Sequence, residues 1–161
     1  MGKYDDGSWH LEAARQAGQP EDNALTHLAA VIAWAIGRDG LSPMHTEDED
    51  EAACVVDIKA RKILPTVLLD QYLDLTMSPD DFTDGINDFL SVYYDGYYPD
   101  DFRALFGKGS YDVPNTWEVY DQVAAVLDGR LAQWQSLHKF PRGLPGAEAK
   151  PRTGLGRLFG R

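Results

Sequence analysis

The 161-residue chain is predicted to be all-α, a single-domain bundle of five to six helices around a buried central helix over about 20–38. Three observations carry that expectation. Residues Leu28–Ile36 form nine consecutive apolar positions, enough to bury a helix on all sides and far short of the roughly 20 needed to cross a bilayer. Trp117, Tyr120, Ala124, Leu127, Leu131, Trp134 and His138 step by three and four, a helical stripe. No segment alternates with the period of two that a strand requires.

Taken in order, residues 1–10 read as an extended lead that packs Tyr4 and Trp9 on the body, and Leu11–Ala17 as a short helical turn. Pro20, Glu21 and Asp22 suit the start of the central helix, because proline lacks only an unpaired donor and acids face the positive dipole end. Acids at 47–51 and bases at 59–62 predict a second helix by the same dipole argument. A short helix over Thr66–Leu75 follows Pro65. The echo Pro-Asp-Asp-Phe at 79–82 and 99–102 predicts two helix starts, giving helices over about 79–95 and 99–106. Asn115 and Glu118 read as a capping box for the last helix.

Charge is uneven. The net value is −11, yet residues 1–140 hold 10 basic and 25 acidic groups, whereas 141–161 hold five basic and one. An acidic body repels nucleic-acid phosphates and anionic membranes and favours cationic partners. The expected organisation is a helical domain over 1–140 and a basic, Gly/Pro-rich mobile tail over 141–161, whose composition cannot bury enough surface to order itself. One cysteine excludes an internal disulfide and fits a reducing compartment. Without a leader pattern or membrane span, the expected location is the cytoplasm.

Two residue groups are candidates for function. Asp5, Asp6, His10 and His27 combine carboxylates with imidazoles, the donor types of a metal or acid–base site, although their spacing matches no established motif. The structural alternative has Asp5 or Asp6 capping a helix or bonding His27 while Trp9 covers Trp34, and a sealed core is the expectation. Tyr93, Tyr94, Asp95, Tyr97, Tyr98, Asp100 and Asp101 form a dense aromatic and acidic cluster suited to a basic protein surface. Packing of these tyrosines at a helix junction is its structural alternative. Cys54 sits among apolar neighbours without a basic activator and reads as buried packing. No Walker or dinucleotide fingerprint is present, and no cofactor is expected.

The blocks Lys3-Tyr4-Asp5-Asp6-x-Ser8-Trp9-His10, Thr26-His27 with Ala33-Trp34, and Trp117-x-x-Tyr120-Asp121 leading to Asp128-x-Arg130-x-x-x-Trp134 resemble an uncharacterised family of small acidic bacterial proteins. The resemblance spans about residues 3–137 and departs at Leu11–Gln19 and in the tail. It implies no activity. In size and charge the chain is similar to immunity proteins of bacterial toxin systems. The leading expectation is therefore a non-enzymatic interaction protein, an immunity-type inhibitor that binds a basic toxin. A metal-dependent enzyme built on Asp5, Asp6, His10 and His27 is the alternative, and attachment to an assembly through the basic tail is a third.

Overall fold

The computed structural model describes residues 2–107 and 110–146. Among them are seven α-helices and one two-stranded antiparallel sheet. The all-α expectation holds, and the small sheet is an addition to it.

The chain opens with β1 (Asp5–Asp6) and runs directly into α1 (Gly7–Gln16). Asp6 caps this helix, its Oδ1 accepting from the Ser8 backbone N–H at 3.0 Å. Residues expected to be extended are therefore helical from Gly7. Gly7 has no room for a side chain: a Cβ there would lie 2.7 Å from Leu25 Cδ2 and 2.9 Å from the Leu75 carbonyl. Its N–H donates to that carbonyl at 2.7 Å.

The expected central helix is interrupted. α2 (Glu21–Ala24) and α3 (Thr26–Gly37) are separated at Leu25, where ψ swings to 0°. Thr26 fixes the restart by donating its hydroxyl to the Val113 carbonyl at 2.9 Å. Within α3 every residue from Thr26 to Ile36 is buried except Ala33, which is partly so, as a helix apolar on all sides requires. It packs chiefly against α7 (Trp117–Leu137), with α4 (Glu49–Lys59) and α5 (Thr66–Gln71) also against it.

After α5 the chain turns through Asp74 and Leu75, both in the left-handed region, into β2 (Thr76–Met77). Asp5 pairs with Met77 and Asp6 with Thr76. Two-residue strands have no readable period, which is why the sequence pattern does not disclose them.

α6 (Asp84–Phe106) corrects the expected pair of helices. Only the first Pro-Asp-Asp echo starts an element, a 3-10 turn at Pro79–Asp81. The second lies inside a continuous 23-residue helix, with Pro99 on its exposed side. An interior proline costs about 3 kcal/mol and a glycine such as Gly96 about 1 kcal/mol. Burial of Tyr93, Tyr94, Tyr98 and Phe102 on the other side offsets both, at roughly 1.5–3 kcal/mol for a large side chain.

Thr116, one residue later than expected, caps α7 by accepting from Val119 N–H. Asn115 instead accepts a short hydrogen bond from the Tyr120 hydroxyl. Beyond α7, Phe140 packs against Phe89, Tyr93, Tyr97 and Trp134. Residues 141–146, expected in the mobile tail, lie against the body: Arg130 donates to the Pro141 carbonyl at 2.8 Å and the Gly143 carbonyl at 3.0 Å. The rest of the expected tail, 147–161, lies outside the described residues. No helix among the described residues is long and apolar enough to cross a membrane.

Candidate metal centre

Three elements bring Asp5, His10 and His27 together. β1 presents Asp5, the first turn of α1 presents His10, and the first turn of α3 presents His27. The sheet pairing and the tight seat of Gly7 fix the first two relative to the body.

The geometry is close. His10 Nε2 lies 2.6 Å from Asp5 Oδ1. His27 Nε2 lies 3.3 Å from both Asp5 Oδ2 and His10 Nε2. One donor atom from each of the three residues falls within 4.8 Å of the others. The outer positions are held too: Tyr94 donates to Asp5 Oδ2 at 2.6 Å, and Tyr111 Oη sits 2.6 Å from His10 Nδ1. The Tyr98 hydroxyl donates to the His27 backbone carbonyl at 2.8 Å, anchoring α3 to α6.

Burial works to raise the Asp5 pKa, but hydrogen bonds from His10, His27 and Tyr94 outweigh it and hold the carboxyl well below its usual range. His27 is also lowered, but in a base this favours the neutral form. Burial, foremost, pushes its pKa down, with His10 adding to that effect and Asp5 opposing it. The ring is therefore neutral near pH 7 and carries a single proton. Its Nδ1 is buried without a partner, so placing that proton on Nε2 leaves only an unpaired acceptor there. An unpaired donor would be the costlier orphan.

The group is bonded together, as a sealed core would be, but it forms one wall of a cavity of about 310 Å3. Trp9, Tyr98, Pro99 and Phe102 supply other walls, with Asp95 also on the lining. Side-chain exposure falls from 24% at His10 to 13% at Asp5 and 9% at His27, so the opening lies on the His10 side.

Not every expected residue joins. Asp6 points away into its capping role and pairs with Lys3 Nζ at 2.6 Å. Trp9 is 66% exposed and does not cover Trp34, whose indole N–H donates to Asp128 at 2.8 Å on another face of the molecule. Tyr94 and Tyr111 belong to the centre, although neither was expected there. Tyr94 carried a signal as part of the aromatic cluster; Tyr111 carried none.

The aromatic and acidic cluster divides. Tyr93, Tyr94, Tyr98 and Asp101 are buried. Tyr93 donates to Asp101 Oδ2 at 2.7 Å, and Arg130 grips both oxygens of that carboxylate at 2.7 and 2.8 Å. Asp95, Tyr97 and Asp100 remain exposed. Cys54 is buried, and burial raises its thiol pKa, consistent with packing.

Comparison with curated proteins and with solved structures gives no match. A family model does match residues 3–116, a span that contains Asp5, His10, His27, Tyr94 and Tyr111 and stops just before α7. That model is described as Domain of unknown function (DUF7832), and the chain belongs to this family.

Proposed function

We propose that this protein binds one divalent transition-metal ion of the zinc class through Asp5, His10 and His27, and that the adjoining cavity admits the group on which the ion acts. The observation that carries this reading is the approach of two imidazole Nε2 atoms to 3.3 Å beside one carboxylate on a cavity wall. Ligand atoms held at roughly 2.0–2.1 Å by a tetrahedral ion lie about 3.3 Å apart, so two of the three spacings suit such an ion. The third, 2.6 Å between His10 and Asp5, is a hydrogen bond that metal ligation would replace. Two histidines with one carboxylate leave coordination positions open, as catalytic sites require and closed structural sites do not. Tyr94 on Asp5 and Tyr111 on His10 are the outer hydrogen bonds that ligating side chains ordinarily have.

Calorimetric titration of metal-stripped protein with Zn2+ tests the proposal. The expected result is saturation at one ion per chain, a melting temperature that rises with free Zn2+, and loss of both in His10→Ala and His27→Ala. Absence of saturable binding to the wild type, or binding that survives both substitutions, overturns it.

A second reading retains the basic protein partner, with the toxin-inhibitor analogy as its associational support. One observation favours it: a groove of about 680 Å3 along α6 is lined by Asp84, Asp88 and Asp95, with Lys3 as the sole cationic side chain among the described residues on its walls. A basic protein docked there would lose affinity about tenfold on Asp84→Asn/Asp88→Asn, with steep salt dependence. Recovery of no basic protein on immobilised wild type from its native host removes this reading.

A further inference from the structure

We infer that Tyr111 is a positioning residue for the proposed metal centre: its hydroxyl accepts the Nδ1 proton of His10 and so turns the Nε2 lone pair toward the ion. This inference rests on the metal reading. Its basis is that His10 is bonded through both ring nitrogens, Nε2 to Asp5 Oδ1 and Nδ1 to Tyr111 Oη, each at 2.6 Å.

In the neutral form of an imidazole one ring nitrogen donates and the other accepts, so in that form the two bonds run in opposite senses. A carboxylate can only accept, so the 2.6 Å bond to Asp5 Oδ1 places the proton of the neutral His10 ring on Nε2 in the metal-free protein. Nδ1 is then the acceptor and the Tyr111 hydroxyl the donor. A metal ion requires the reverse, because Nε2 must present a lone pair. The ring remains neutral if the proton on Nε2 is lost and one is taken up at Nδ1. Tyr111 then changes from donor to acceptor, and its own proton turns outward.

A hydroxyl can serve both states, being donor and acceptor in one group. The residue is suited to it. Tyr111 sits in the short 3-10 turn Ser110–Asp112, is only partly buried, and its ring meets His10 edge-on at 5.7 Å. A carbonyl at this position would accept Nδ1–H but could not donate in the metal-free state; an ammonium would do the opposite. Burial, foremost, and the nearby Asp5 charge keep the phenol protonated.

Two measurements test the assignment. Two-bond 15N–1H correlation spectra of the wild-type imidazoles, recorded with and without Zn2+, should move the His10 proton from Nε2 to Nδ1. Zn2+ affinity of Tyr111→Phe should fall by about 10–100-fold, the usual effect of removing an outer hydrogen bond from a metal-binding histidine. Tyr111→Gln, which restores an acceptor, should recover part of that loss. A His10 tautomer unchanged by Zn2+, or a Tyr111→Phe affinity within threefold of wild type, overturns the inference while leaving the metal reading intact. Failure of the wild type to bind Zn2+ overturns both. The spectra need no substitution, so poor folding of a variant does not remove the test.

Discussion

His27 and His45 are both buried histidines, yet their surroundings push their proton affinities in opposite directions. His27 is depressed, by burial foremost. His45 is raised, by the Asp81 carboxylate foremost and also by Glu51, against the effect of burial. Its Nδ1 lies 2.6 Å from Glu51 Oε1, and its Nε2 lies 3.3 Å from Asp81 Oδ1 without a well-directed hydrogen bond.

The two sites should therefore tilt the stability profile oppositely. For His27 the unfolded chain takes up a proton near the ordinary value of 6.5 before the folded one does, so its contribution declines as pH falls below 6.5. For His45 the folded state holds the proton more tightly. Its contribution is complete below 6.5 and is lost as pH rises through the raised folded value. Urea unfolding between about pH 5 and pH 8 should show that His27→Gln flattens the acid limb and His45→Gln the decline toward alkaline pH. Variant profiles parallel to wild type would contradict the assignment.

Breaking the buried Asp101–Arg130 pair should be the most damaging single change among the acids of α6. Asp101→Asn leaves the guanidinium, itself 3% exposed, without its counter-charge, at a cost of about 3–5 kcal/mol. Asp100, next in the chain but exposed, should tolerate Asn within about 0.5 kcal/mol. Chemical denaturation distinguishes the two, and equal costs would mean that the buried pair is not what the geometry indicates.

Gly7→Ala should lower stability by about 1–3 kcal/mol, since the new methyl meets the Leu75 carbonyl as well as a leucine methyl. Because α1 carries His10, the same change should also weaken Zn2+ binding. Calorimetry on Gly7→Ala with wild-type affinity would show that the seat of α1 does not govern the centre.

A methyl on Gly129 would run into the Pro145 ring, so the segment that carries Pro145 must shift off the helix. Alanine is also worth about 1 kcal/mol more than glycine inside a helix. Gly129→Ala should therefore leave global stability within about 1 kcal/mol of wild type and speed tryptic cleavage after Arg142 several-fold. Cleavage at the wild-type rate would refute the contact.

Helices whose ends are set by their own residues were legible. Acids before and bases after mark α4, and the stripe from Trp117 to Trp134 marks α7. α6 was not, because Gly96 and Pro99 are local punctuation that the burial of four aromatic rings overrides. The same limit applies to the centre. Residue type singled out Asp5, Asp6, His10 and His27, but only backbone geometry separates Asp5, which faces the histidines, from Asp6, which caps α1. Tyr111, 101 positions after His10, reaches it through tertiary packing that no local pattern encodes.

The contiguous buried apolar core begins at Leu28 and draws no buried side chain from β1 or α1. Two of the three proposed metal ligands, Asp5 and His10, therefore stand on a segment that packs on this core through Tyr4 and the seat of Gly7 but supplies none of its buried side chains. Ligand set and frame are thus partly separable along the chain: substitutions at exposed positions of α1 such as Ser8 and Trp9, which spare Gly7 and Ala14, should alter the surroundings of the proposed centre while the helical frame endures.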